Sequence, residues 1–169
     1  QKAVKRLSLN VSLYSRGKVL TEEKYLQSSY YVQPYDLNDS SLVNQEIRVN
    51  YDGEKIKLSY NLYGVDKEVS GYVNEHIVSR DFDVVVKVVN EESLKVASSE
   101  NELYFTFNSV ESLSSRLKSG LSVMPLEVNA KTIEISFRGF NPHLCHDLTL
   151  ALSDAFTAYD EENQRRGSD

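Results

Sequence analysis

The stretch FRGFNPHLCHDL, residues 137–148, gathers the side chains best suited to chemistry, with His143 and His146 flanking Cys145, the single cysteine. Two histidines at that spacing share one face of a helix and can ligate a metal. A zinc site, however, needs three or four ligands and outer groups that orient them. The third histidine, His76, stands in a distant β segment beside Glu75, with nothing in the sequence to pair it. Cys145 as a nucleophile would need an oriented base and a lowered pKa, which a helix N-terminus favours. No third group accompanies it, and a lone cysteine in a packed segment behaves as a small hydrophobe. The expectation is therefore no metal, no cofactor and no catalytic residue in this stretch.

Other chemistry is weighed in the same way. Asp81 and Asp83 flank Phe82, and Asp36 and Asp39 flank a turn; paired carboxylates can hydrolyse glycosidic bonds. Alternating acids in strands and turns are more often a solvated face, and that reading is preferred. Tyr30, Tyr31, Tyr35, Tyr51, Tyr60, Tyr63 and Tyr72 could offer stacking platforms for sugars, although cross-strand packing in an antiparallel sheet accounts for them as well. The chain contains no G-x-x-x-x-G-K-[ST], no G-x-S-x-G and no G-x-G-x-x-G.

These residues must be positioned by the elements around them. Asn141 is a favoured N-cap, and Pro142 sits at the first helical position, where its missing N–H costs nothing. Leu144, Leu148, Leu152 or Ala151, Ala155 and Tyr159 follow at helical spacing, so this face is expected to pack inward. Before the cap, Ile133, Ile135 and Phe137 alternate as a strand, with LSVMPLE as another. Asn141, Pro142, Leu144, Leu148, Ile133 and Ile135 are thus expected to matter structurally.

Upstream, VSLYSRGKVLTEE reads as an extended pair turning at Ser15 to Lys18, with Gly17 supplying a positive φ. Thr21 is expected to cap a short helical turn through Glu22, Glu23 and Tyr25. From Tyr30 to Val89 the pattern is β: YYVQPYDL, EIRVNYD, KIKLSYNL, EVSGYV and FDVVVKVV, divided by Asn, Asp and Gly clusters. Asp52-Gly53 is the strongest hairpin signal. NEESLKVASSEN reads as a polar stretch before the strand ELYFTFNS. Ser109 then caps a helix with Val110, Leu113 and Leu117 on one face, and Gly120 stops it. A helical segment is expected to end near Asn10. The fold class is α+β: mainly antiparallel sheet with a β-rich insertion over 33–89, packed by a short helix and a C-terminal helix that starts at Asn-Pro.

The chain has 169 residues, a length suited to a single domain, with net charge −6 and pI about 5.2. A nucleic-acid partner needs a basic face, so none is expected. No apolar run approaches the roughly 20 residues of a membrane span, and nothing reads as a signal peptide. Both ends read as cut within helix-forming sequence, so the chain is expected to be a fragment of a longer protein.

Several stretches together resemble polysaccharide chain-length determinant (Wzz-like) proteins, most closely the subgroup fused to a cytoplasmic tyrosine autokinase. The first is VKRLSLNVSLYSRGKVLTEEKYLQSSYYV. It is similar to the family's helix ending in basic-Leu-x-Leu-Asn (Arg6 to Asn10), then the Tyr14 hairpin, the Thr21 to Tyr25 turn and the strand start at Ser28 to Val32. Ser29-Tyr30 stands where Pro-Phe is usual. The second, LSVMPLEVNAKTIEISFRGFNPHLCHDLTLALSDAFTAYDEENQRR, resembles the block in which a strand passes through Asn-Pro into a helix that grows into a long periplasmic arm. Cys145 stands near the small residue expected after the proline, and Ser153 near the usual Asn.

What the resemblance implies is a periplasmic scaffold domain of an inner-membrane polysaccharide co-polymerase, anchored by flanking membrane helices and assembling with copies of itself. It would regulate the length or export of capsular polysaccharide or exopolysaccharide, with the polymerase or polymer as a further partner. In the fused subgroup a kinase with Walker motifs lies beyond the second membrane helix; none of its motifs is present here, so no catalytic residue carries over. The residues themselves also allow a carbohydrate-binding β module with a tyrosine-rich sheet.

Overall fold

Period-two alternation dominates the first unit of the chain. The computed structural model describes residues 9–126 and 132–166. It divides into two compact units, Asn10–Ser109 and Val110–Asp169 together with Gln1–Leu9. The expected insertion, 33–89, falls inside the first unit.

That unit holds nine strands among its described residues: β1 (Val11–Arg16), β2 (Thr21–Lys24), β3 (Tyr30–Leu37), β4 (Ile47–Tyr51), β5 (Lys55–Leu62), β6 (Val65–Tyr72), β7 (His76–Val78), β8 (Phe82–Val88) and β9 (Glu102–Phe107). All strand pairings are antiparallel, in a six-stranded sheet β2-β1-β9-β4-β5-β6 and a three-stranded sheet β3-β8-β7. β9, from beyond the insertion, pairs with both β1 and β4, so the insertion's β4, β5 and β6 share one sheet with β1, β2 and β9, while its β7 and β8 pair in the other sheet with β3.

The alternation explains the pairing. Ile47, Val49 and Tyr51 point into the core while Arg48 and Asn50 point out; Ile56, Leu58, Tyr60 and Leu62 do the same on β5. The three-stranded sheet contributes Tyr30, Val32, Ile77, Phe82, Val84 and Val86 to the same core. Phe82 bridges the two sheets, with ring centroids 5.2 Å from Tyr60 and 6.0 Å from Phe107. Phe82 and Phe105 are wholly buried, each worth about 1.5–3 kcal/mol of apolar transfer.

Two hairpins differ in how they turn. In the Asp52-Gly53 hairpin, Gly53 takes φ 104° and the Asp52 carboxylate accepts from the N–H groups of Glu54 (2.8 Å) and Lys55 (2.7 Å). The β5–β6 hairpin is tighter: Leu62 faces Val65, and Tyr63 and Gly64 both sit at positive φ, 54° and 78°. That is the conformation whose twist matches paired strands.

Three expectations in this unit are corrected. Thr21 does not cap a helical turn: Thr21–Lys24 pairs in register with Leu13–Arg16 as β2, because a ladder partner satisfies more backbone groups than one isolated turn. Gly17 is not among the positive-φ residues, the turn being closed by its N–H on the Leu20 carbonyl at 2.9 Å. NEESLKVASSEN forms helix α1 (Glu91–Glu100), capped by the Asn90 side chain accepting from Ser93 N–H at 2.8 Å, with Glu91 and Glu92 in the first turn. The β segment expected around His76 is the three-residue strand β7. The helical segment expected before Asn10 lies outside the described residues, apart from a turn at Leu9 and Asn10.

The second unit contains α2 (Val110–Lys118), a hairpin of β10 (Leu121–Pro125) and β11 (Ile133–Phe137), and α3 (Pro142–Arg166). Gly120 stands where a side chain would not fit, since a Cβ there would lie 2.3 Å from the Arg138 carbonyl oxygen. The approach is close because Arg138 N–H donates to the Gly120 carbonyl at 2.8 Å. The α+β class is as expected from the sequence.

Candidate functional site

The Asn-Pro block folds as its residue types dictate. Asn141 accepts at its side chain from Leu144 N–H (3.1 Å) and at its carbonyl from Cys145 N–H (3.0 Å), so Pro142 begins α3 without an orphaned donor. α3 runs for 25 residues, yet its buried residues are Leu144, Leu148 and Ala151, all in its first half. Ile133 and Ile135 are half-buried on β11, and a groove of about 340 Å³ follows β11 and α3 past Ile135 and Phe156. Beyond Ala151 the expected inward face ends: Ala155 is half-buried, Tyr159 is 59% exposed, and Phe156 is exposed as well. The helix outruns the hairpin available to cover it, which is why heptad-like spacing overestimates its burial.

His143 and His146 are exposed, while Cys145 is half-buried on another side of the helix. Its sulfur packs on Gly139, and it lines a cleft of about 1040 Å³ together with Gly120, Phe137, Arg138, Phe140 and Pro142. Among the described residues no three His, Cys, Asp or Glu side chains gather as a metal site.

The acids separate. Asp81 is not part of a solvated face: it is 6% exposed and accepts from Tyr60 Oη at 2.8 Å and Lys67 Nζ at 2.7 Å. The Lys67 ammonium, then the Tyr60 hydroxyl, hold its carboxyl below the usual carboxylate range. Asp39 caps a 3₁₀ turn, Ser40–Leu42, accepting from Ser41 N–H at 2.9 Å and from Tyr63 Oη at 3.1 Å; the Ser41 N–H lowers its pKa. Asp83 projects to the outer face of the three-stranded sheet, where its carboxylate meets His76 Nδ1 at 2.8 Å. His76 therefore has a partner that sequence spacing did not reveal, contributed by the neighbouring strand. Asp36 faces Asp83 across the β3–β8 pairing.

The tyrosines divide too. Tyr30, Tyr51 and Tyr60 are buried in the core, and burial raises the pKa of each. Tyr31 (48%), Tyr35 (52%), Tyr63 and Tyr72 are exposed. Tyr72 lies under Lys55 Nζ at 5.2 Å, and Tyr35 packs against His76 with centroids 4.4 Å apart.

A further cluster was not anticipated from the sequence. On the outer side of the six-stranded sheet Arg16 bonds both Glu46 and Glu102 and lies 4.7 Å over the Tyr104 ring, which stacks on Tyr14 at 4.9 Å. Arg48 Nε reaches Glu102 at 2.6 Å, beside a polar cleft of about 340 Å³ lined also by Asn50, Lys57 and Asn101. Its only sequence signal is the placement of charge at outward positions of strands that must first be paired correctly. No protein-family model and no curated protein matches this chain.

Proposed function

We propose that this chain is a periplasmic, non-catalytic scaffold and self-association domain of an inner-membrane polysaccharide co-polymerase, governing the chain length or export of a capsular polysaccharide or exopolysaccharide. The observation that carries the reading is the strand, Asn141-Pro142 cap and 25-residue helix α3, which buries Leu144, Leu148 and Ala151 but leaves Phe156 and Tyr159 in water. Such a helix is anchored at one end and offers its far half to something else, as the resemblance implies for a helix that extends into an arm. The flanking segments of the parent would supply the membrane attachment. Any kinase activity would belong to the parent outside this chain.

The test is replacement of the chain by a flexible linker in the parent protein, followed by gel separation of the surface polymer. Loss of the modal chain length with polymer still being made is the expected result. An unchanged length distribution refutes the proposal. The second reading, a carbohydrate-binding module, is favoured by the Tyr35, His76 and Asp83 arrangement and is compatible with the first.

A further inference from the structure

We infer that the outer face of the β3-β8-β7 sheet binds a neutral glycan, whose sugar rings stack on Tyr31 and Tyr35. The inference rests on the polysaccharide reading above and deepens it by assigning direct contact with polymer to named residues.

The site is built by a β-bulge. β3 and β8 stay in register from Tyr30 to Pro34, shift, and resume at Asp36, which leaves Tyr35 as the extra residue. A bulge re-aims the side chain it carries. Here Tyr35 leans across β8 to the far strand and meets His76 at a centroid distance of 4.4 Å and a 48° tilt. Strands two places apart lie roughly 10 Å from one another, a gap that only a leaning ring closes.

Val84 and Val86 belong to the core, so Val85 points the other way, paired with Gln33 on one side and His76 on the other. It is nonetheless only 3% exposed. The outer face thus has its own small apolar floor. His76 is fixed in turn by Asp83, at 2.8 and 3.0 Å from its two carboxylate oxygens. Tyr35 is half exposed but not loose, and an exposed ring held still loses little entropy when a ligand stacks on it.

Tyr31 stands on the same side of β3, opposite Lys87, with Gln33 between the tyrosines. Four residues of strand separate the two rings by roughly 13 Å, a span suited to a ligand of several linked rings. A pyranose presents one face of C–H groups, which packs on an aromatic ring, and an edge of hydroxyls, which needs donors and acceptors side by side. Gln33 and Lys87 offer donors, and Asp36 and Asp83 offer acceptors.

Charge selects the ligand class. Asp36 and Asp83 oppose each other across the pairing, so an acidic sugar or a phosphate would be brought against two carboxylates. A neutral, hydroxyl-rich chain meets no such repulsion.

The experiment is a titration of the folded chain with soluble neutral oligosaccharides of glucose, galactose and mannose, each also tried as its uronic acid counterpart, read by NMR at the tyrosine and histidine rings. Saturable shifts at Tyr31, Tyr35 and His76 with at least one neutral glycan are expected. Tyr35→Ala should weaken that binding about tenfold, the order of one aromatic stacking contact. Tyr35→Phe, which retains the ring, should keep it. The inference is overturned if no neutral glycan shifts those rings, if Tyr35→Ala binds as the unaltered chain does, or if the uronic acids bind better. None of these results alters polymer length in the linker-replacement experiment, so the two ideas fail separately.

Discussion

Removing the Asp81 carboxylate is the sharpest probe of how the first unit is held together. In Asp81→Ala the Tyr60 hydroxyl, on a residue 6% exposed, loses its 2.8 Å acceptor, and Lys67 loses its 2.7 Å partner. A hydrogen bond to a charged group contributes about 1.5–3 kcal/mol. The Lys67 pair adds less, about 0–1 kcal/mol, because its side chain is 34% exposed and returns to water. The expected loss is therefore about 2–3 kcal/mol, measured by urea unfolding followed by circular dichroism, with the slope on urea unchanged. Tyr60→Phe should cost about 1–2 kcal/mol, and the double variant clearly less than the sum, since both remove the same bond.

The pH dependence has a definite sign. Lys67 and Tyr60 lower the folded pKa of Asp81, so its contribution is complete above the unfolded value near pH 4 and fades as pH falls through the lower folded value. The gap between the unaltered chain and Asp81→Asn should accordingly narrow only below about pH 4. Additive single and double variants, or an Asp81→Ala loss under about 0.5 kcal/mol, would refute the coupling.

Three further outcomes follow from the geometry. Asn141→Ala should destabilise the second unit by about 1 kcal/mol, the usual value of an N-cap, as read by thermal or urea unfolding. Gly120→Ala should cost about 3 kcal/mol in the same assay, because a Cβ 2.3 Å from the Arg138 carbonyl forces backbone apart. Burial raises the pKa of Tyr30, Tyr51 and Tyr60, so the neutral phenols stabilise the fold below about pH 10. That stability should be lost as pH rises above this value, with spectrophotometric titration placing their ionisation together with unfolding and later than that of the exposed tyrosines.

Legibility followed the range of the interactions concerned. β4, β5 and the Asp52-Gly53 turn could be read because alternation and turn chemistry lie within a dozen residues, and the Asn141-Pro142 start of α3 because a cap is local. α1 was hidden: Leu94 is its one buried residue, so its apolar face is too narrow to register as a period. Tyr63 in a left-handed turn was hidden as well, since a bulky residue is uncommon there; its hydroxyl bonds with Asp39 and Ser41 help hold it. The pairings of His76 with Asp83 and of Lys67 with Asp81 depend on which strands become neighbours, which alternation alone does not determine. For the same reason Asp81 read as solvated and proved buried. On α3 the sequence located Leu144 and Leu148 but ran the buried face on to Tyr159, because spacing marks a stripe without saying where its cover stops.

In the proposed scaffold role, the far half of α3 serves polymer-length control through contacts outside its own fold. That role is tested most directly by the surface-polymer length distribution in cells whose parent protein carries Phe156→Glu with Tyr159→Glu. Tyr159 is 59% exposed, and Phe156, 42% exposed, touches its own unit at the rim of the β11 groove, so the isolated chain should stay folded with a loss of no more than about 1 kcal/mol. A shifted or lost modal length in cells, despite that intact fold, is the expected result. An unchanged length distribution from a folded, normally expressed double variant would contradict it.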